Sequence, residues 1–326
     1  MDSDGVASES SAFVHQALIY GSEAEFMDVA MPFVKGGLSA GQPTLVAVQD
    51  RHVENLRGGL GGEPDGLTLH PVEDWYETSA RTRQKFASWA AEQTERGGRA
   101  RLMGEPPWSV GHPAQVRDWA RHESVINLAF AGQPVTFICP YDSRALPADV
   151  LGHARCTHPE IVSGSGVAAS ASYEDPHRFC QGLEPGAGTA GIEPDVLLDF
   201  GLDDLPAVRR AIGSFAIDAG LSGSRTEEVV LAVNEITTNA VIHGRQPATV
   251  RAWRGEGEIV VEVADAGDGI QNALAGQLMP SSASRGGRGL WLTRLLCDAV
   301  ELRNGTGCTV TMHVATPSPG GVATAA

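Results

Sequence analysis

The sequence predicts an α/β chain whose two halves are wired differently, and three observations carry that reading. Over 12–180, short apolar runs alternate with amphipathic stretches, the pattern of a mostly parallel sheet with flanking helices. Over 196–316, two helical stretches precede strand candidates paired through short connections. That pattern belongs to a two-layer α/β sandwich with an antiparallel or mixed sheet. Between them, 181–195 reads QGLEPGAGTAGIEPD, a Gly/Pro/Ala segment without apolar periodicity and the natural linker. A length of 326 residues agrees with about two domains.

In the first half the predicted strands are 15–20 (HQALIY), 43–48 (PTLVAV), 66–71 (GLTLHP), 99–103 (RARLM) and 134–139 (PVTFIC). The spacing predicts helices over 22–38, 74–96 and 113–131. In the last of these Val116, Trp119, Ile126 and Phe130 fall near helical spacing and define one buried face. In the second half helices are expected at 206–220, 225–243 and 288–297. Strands are expected at 247–253, 258–264, 298–303 and 307–314, with 317–326 a loose tail.

The formal net charge is −16, which argues against nucleic acid as the main partner because phosphate binding needs clustered cations. Residues 201–326 carry 13 acidic and 10 basic side chains, the more balanced part and the better place for a nucleotide. No run of about 18 apolar residues suggests a membrane span. The acidic start MDSDGVASESSAF is unlike a signal peptide, and the five cysteines are scattered, so a reducing cytoplasm is expected.

Three features of the second half point to chemistry together. Glu235, Asn239 and His243 are spaced four apart in the predicted helix 225–243 and form one polar stripe, while Val229, Val233, Ile236 and Ala240 face elsewhere. A carboxamide oxygen can ligate magnesium, and a carboxylate one turn away can orient or deprotonate a hydroxyl. Read alone, the stripe is equally an ordinary solvated helix face. An apolar strand then ends in Asp265-Ala266-Gly267-Asp268-Gly269, an acceptor for an adenine amino group followed by glycines that admit the ring, or an ordinary turn. Last, Gly286-Gly287-Arg288-Gly289 opens an apolar helix and leaves backbone N–H groups to meet phosphates. The segment 270–285, with Ser281, Ser282 and Ser284, reads as a lid.

The order ExxxN, DxGxG, lid, GxGL and then Gly305-Thr306-Gly307-Cys308-Thr309 before a final strand resembles the Bergerat-fold ATPases, the superfamily of gyrase, histidine kinases and MutL. The wording NEITTNAVIHG, DAGDG and GGRGLWL is most similar to the anti-sigma-factor serine kinases. The resemblance implies ATP with Mg²⁺ ligated by Asn239, Glu235 as general base and Asp265 on the adenine amino group with Thr309 helping through water. It implies Gly267 and Gly269 along the base, and Gly287, Arg288 and Gly289 on the phosphates. It also implies two protein partners, a sigma factor and the anti-sigma antagonist whose serine is phosphorylated. Alternatives are a nucleotide-dependent regulator that only holds a partner, and a histidine-kinase-like protein. The latter requires a phospho-accepting His in a helical hairpin where this chain has its linker. A homodimer is compatible with either.

The first half lacks GxxxxGK[ST], and GGLSAGQ at 36–42 reads as a helix-to-strand turn. The phrases HQALIY (15–20), WARHESVIN (119–127), Cys139-Pro140-Tyr141-Asp142, His158-Pro159-Glu160 and Tyr173-Glu174-Asp175-Pro176 resemble the MEDS domain, a sensory module with a RecA-like sheet. That resemblance implies sensing of a small-molecule signal. His15, Cys139, Cys156 and His158 are the candidate sensory residues. Cys and His are good metal ligands, yet Cys139…Cys156-Thr-His158 matches no tight zinc spacing. Packing or a polar-ligand role is therefore favoured over metal or haem.

Overall fold

A computed structural model describes residues 13–95, 98–108, 112–183, 185–186, 191–280, 287–305 and 307–317. The chain divides into two compact units at Gly182/Leu183.

The first unit runs β1 (Val14–Tyr20), α1 (Glu23–Ser39), β2 (Thr44–Val48), α2 (Asp50–Leu60), β3 (Leu67–Pro71), α3 (Val72–Trp75), α4 (Ser79–Thr94), β4 (Ala100–Gly104), α5 (Pro113–Ala129), β5 (Val135–Asp142), α6 (Ala148–Thr157), β6 (Glu160–Ser163), β7 (Gly166–Ala169) and α7 (Pro176–Gly182). Its sheet has the order β3-β2-β4-β5-β1-β6-β7 and is parallel except for the β6–β7 hairpin. Strand alternation sorts the core into two layers. Val46 and Val48 meet Phe26, Val34, Val53 and Leu56 of α1 and α2. Leu45 and Ala47 lie on the other face with Phe86 of α4, Ile126 of α5 and Val150 of α6.

Besides α6, β6, β7 and α7, which the sequence reading left unassigned, two helices depart from it. The helix expected over 74–96 breaks at Tyr76–Thr78, because the Thr78 hydroxyl accepts from the Arg81 N–H and starts α4 anew. The helix α2 was not anticipated: DRHVENLRGGL is short, polar and glycine-containing. It stands because Val53 and Leu56 are buried and Gly61 closes it in the left-handed conformation (φ 72°).

The second unit runs β8 (Val196–Asp199), a 3-10 turn (Leu202–Asp204), α8 (Leu205–Asp218), α9 (Gly223–Ile242), β9 (Thr249–Arg254), β10 (Glu258–Asp265), α10 (Arg288–Leu296), β11 (Ala299–Asn304) and β12 (Cys308–Ala315). The sheet order is β11-β12-β10-β9-β8, antiparallel throughout. All three helices cover one face. Val208, Ile212 and Phe215 of α8 and Val229, Val233, Ile236 and Ala240 of α9 share a core with Val250, Ala252, Ile259, Val261, Val263, Val310, Met312 and Val314. The edge strand β8, only four residues long, is the strand of this unit that periodicity missed. Parts of the expected linker are held by this unit. Gly186 donates to Glu301 Oε1 (3.4 Å) and accepts from Arg303 (2.9 Å), and Ile192 O accepts from Trp253 Nε1 (3.0 Å).

Candidate functional site

Helix α9 begins where the Ser222 hydroxyl accepts from the Arg225 N–H (3.3 Å), and its apolar stripe is spent on the core. Glu235 and Asn239 are left half-buried at the edge of that packing, one turn apart, with His243 exposed at the helix end. They meet the start of α10. A Cβ on Gly289 would lie 2.8 Å from Glu235 Oε2 and 3.1 Å from Asn239 Nδ2, so the backbone of α10 passes this pair where only a glycine fits. Gly287 caps α10 in the left-handed region (φ 86°), and no side chain among the described residues caps the helix, so its first N–H groups can meet a ligand. Arg288 is exposed beside them. Gly286 and the serines of the expected lid lie outside the described residues.

Asp265 closes β10. Its Oδ1 accepts from the Gly267 N–H (2.7 Å), and Oδ2 has no hydrogen-bond partner among the described residues. A Cβ on Gly244 or on Gly267 would press on this carboxyl, at 2.6 and 2.7 Å. Asn304 pins the following loop, accepting from the Ile270 N–H (3.0 Å) and donating to Ile270 O (2.8 Å). It packs against Gly269, whose φ is 77°.

Strand alternation fixes the face on which Thr309 lies. Cys308, Val310, Met312 and Val314 face the helices, so Thr309 points from the opposite face of the sheet. There it lines a shallow cleft with Asp265, Thr249, Arg251 and Arg303. The residue in register with Asp265 and on its face is Cys308. Burial, with Asp265 adding to it, pushes the Cys308 thiol up to about 11. The sequence signal was there: alternation from the buried Val310 assigns 308, not 309, to the helix face.

These pieces can hold a magnesium nucleotide. Asn239 offers a hard oxygen, the uncapped α10 start offers amides, and the unpartnered oxygen of Asp265 can accept from an exocyclic amine.

In the first unit the α10-like opportunity is closed. The N-terminus of α1, which follows β1 where α/β sheets commonly take phosphates, is filled by its own acids. Ser22 Oγ accepts from the Glu25 N–H, and Glu25 Oε2 accepts from the Gly21 N–H at 2.7 Å. A different cluster sits under α5. His15 of β1, Glu123 of α5, Cys139 of β5 and His158 after α6 are all buried, with one ligand-type atom of each within 4.8 Å of the others. Burial, with His158 adding to it, lowers His15 to about 4 against the opposing pull of the nearby Glu123 carboxylate and the Asn127 carbonyl oxygen. Burial and the Glu123 carboxylate raise the Cys139 thiol well above its usual range. Cys156 is not a member: it is half-buried on α6 beside Glu174. Sequence spacing missed Glu123 because its partners are scattered over the whole unit. The one local trace is Glu123 and Asn127 four apart on one helical face.

An antiparallel sheet under three helices, with a polar pair facing a glycine-opened helix, defines a nucleotide-binding module of the Bergerat type; a second α/β unit with a parallel sheet accompanies it. Residues 200–314 match the family described as histidine kinase-like ATPase domain, and residues 14–159 match MEDS, the methanogen/methylotroph DcmR sensory domain. The serine-protein kinase RsbW of Bacillus subtilis is 31% identical over 118 residues, covering 32% of this chain and 74% of that protein. The chain therefore belongs to the RsbW-type branch of the histidine kinase-like ATPases and carries a MEDS domain ahead of the ATPase domain. Among solved structures, the RsbU and RsbW domains of a Mycobacterium tuberculosis protein are 22% identical with a TM-score of 0.28, over 38% of this chain and 34% of that one. This chain thus spans about a third of that neighbour's length. The histidine kinase domain of the E. coli osmosensor EnvZ is 17% identical with a TM-score of 0.25, over 42% of this chain and 99% of that one. Among the described residues no helix is long and apolar enough to cross a membrane.

Proposed function

We propose that the chain is a cytoplasmic ATP-dependent protein serine/threonine kinase of a sigma-factor switch, with its first unit sensing a small-molecule or redox signal. The observation that carries this reading is the packing of Glu235 and Asn239 against Gly289 at the uncapped start of α10. It brings a base, a magnesium ligand and phosphate-facing amides to one place, and phosphoryl transfer needs little beyond such positioning and charge neutralisation. In this reading Asn239 holds Mg²⁺, and Gly287, Arg288 and Gly289 face the phosphates. Asp265 takes the adenine amino group, and Gly267 and Gly269 border the base. Glu235 receives the proton of the incoming serine hydroxyl. By likeness to the serine-protein kinase RsbW, the substrate is a serine on an anti-sigma antagonist and the second partner is a sigma factor. The segment ahead of the ATPase domain supports this over a histidine-kinase arrangement. Its described part holds the seven-residue helix α7 and then chain hydrogen-bonded to β9 and β11.

The test is Glu235→Ala in the full chain, with the candidate antagonist as substrate. Transfer to serine is expected to fall by at least about 100-fold, the usual weight of a general base, while ATP affinity stays within about twofold. Transfer that is absent from the wild-type chain while ATP still controls partner binding would favour the non-catalytic regulator instead.

A further inference from the structure

We propose that His15, Glu123, Cys139 and His158 form a tetrahedral binding site for one divalent transition-metal ion, zinc being the best chemical fit, inside the first unit. The pairwise distances carry this. His158 Nε2 lies 3.3 Å and His15 Nε2 3.6 Å from Glu123 Oε2, and Cys139 Sγ lies 3.4 Å from His15 Nε2. Bonds of about 2.0–2.3 Å to nitrogen, oxygen and sulfur in a tetrahedron place neighbouring ligands about 3.3–3.6 Å apart.

The outer hydrogen bonds fix which atoms face inward. Asn127 donates through Nδ2 to Ser124 O (3.1 Å) and Thr157 O (2.8 Å), so its Oδ1 must accept from His15 Nδ1 (3.1 Å). Ala154 O, 2.8 Å from His158 Nδ1, is likewise an acceptor only. Each imidazole therefore carries its proton on Nδ1 and turns the Nε2 lone pair toward the cluster, the arrangement in which metal-bound histidines are held. Two lone pairs and a carboxylate oxygen then face one another in a dry interior. Glu123 Oε2 and His158 Nε2 are both buried and have no hydrogen-bond partner among the described residues. A proton between one histidine and Glu123 would satisfy a single edge of this tetrahedron; a cation at its centre satisfies all four atoms.

Charge and softness agree. Glu123 and a Cys139 thiolate supply two negative charges, and two neutral imidazoles supply none, so a dication gives a neutral buried site. Binding releases the Cys139 proton to solvent. Mixed sulfur and imidazole ligation favours zinc over magnesium or calcium. All four side chains hang from different elements, so the ion would also tie β1, β5, α5 and the α6 end together.

The experiment uses the full chain, refolded from denaturant with cobalt(II) as a spectroscopic stand-in so that burial does not block entry. One equivalent is expected to bind, with the intense visible absorption of tetrahedral cobalt and a thiolate-to-cobalt charge-transfer band, both lost when zinc is added. Cys139→Ser is expected to abolish the charge-transfer band. Asn127→Ala, which keeps all four ligands, is expected to weaken metal binding by about 10–100-fold. Because Cys139→Ser could disturb the core, the wild-type spectrum decides first. Weak octahedral absorption in the wild type, no stoichiometric uptake, or a charge-transfer band that survives Cys139→Ser would each overturn the proposal.

Discussion

Replacing Gly289 by alanine is expected to leave the fold intact and to damage turnover. The new Cβ would sit 2.8 Å from Glu235 Oε2 and 3.1 Å from Asn239 Nδ2, where about 3.4 Å is ordinary contact. The two side-chain ends must therefore retreat by roughly 0.6 and 0.3 Å. Both are ends of side chains, so this retreat is cheap. It is set against the gain of about 1 kcal/mol when alanine replaces glycine in a helix. Stability should stay level or rise slightly. The displaced atoms are the proposed base and magnesium ligand, and misplacing a catalytic group by about 1 Å can cost 100-fold. A shift of this size should therefore slow phosphoryl transfer by roughly 10-fold or more. Thermal unfolding and single-turnover transfer to the antagonist, measured on one preparation, give the two readings. An unchanged transfer rate in a stable Gly289→Ala protein would refute the placement of Glu235 and Asn239 against α10 in the working enzyme.

Asp265→Asn should weaken ATP by about 10–150-fold, since a hydrogen bond to a charged acceptor is worth about 1.5–3 kcal/mol; titration with ATP and GTP checks it, and equal loss for both would argue against adenine contact. Asn239→Ala should remove the magnesium dependence of ATP binding, read by titration with and without Mg²⁺. His313 gives a pH prediction. Burial alone would lower it, but the hydrogen bond to Glu258 and the Glu301 carboxylate 3.7 Å from Nε2 raise it to about 9. A raised folded-state value stabilises fully below pH 6.5 and is lost as pH climbs through about 9. His313→Gln should thus cost about 2–3 kcal/mol at pH 6 and much less at pH 10 in denaturant unfolding; the same cost at both would show the imidazole is uncharged in the fold.

Much of the fold was legible because long periodic elements report themselves. The α9 stripe and strands such as 258–264 appear within a residue or two of their predicted positions. What stayed hidden was short or non-periodic. The helix α2 depends on tertiary burial of two residues, and β8 is too brief to alternate. In the nucleotide site the approximate positions of Glu235, Asn239 and Asp265 followed from helix spacing and strand ends. Motif wording alone did not show that Cys308, not Thr309, is in register with Asp265 on the helix face; period-two alternation does. The His15 cluster was half visible: three of its four members were named, together with Cys156, which lies outside it. Residues 15, 123, 139 and 158 meet only through the parallel pairing of β1 with β5 and the crossing of α5 above them.

Cys308 gives the nucleotide site a chemical temperament of its own. A thiol raised to about 11 is almost wholly protonated at neutral pH, with a thiolate fraction on the order of 10⁻⁴. It is therefore a poor target for peroxide, disulfide exchange or alkylation, even though it stands at the position facing Asp265. A thiol also binds water weakly, so in the proposed adenine site Asp265 faces, at its register position, no hydroxyl with which to share an ordered solvent molecule. This position is in that sense deaf to oxidants, and any redox information the protein carries must enter through another of its cysteines.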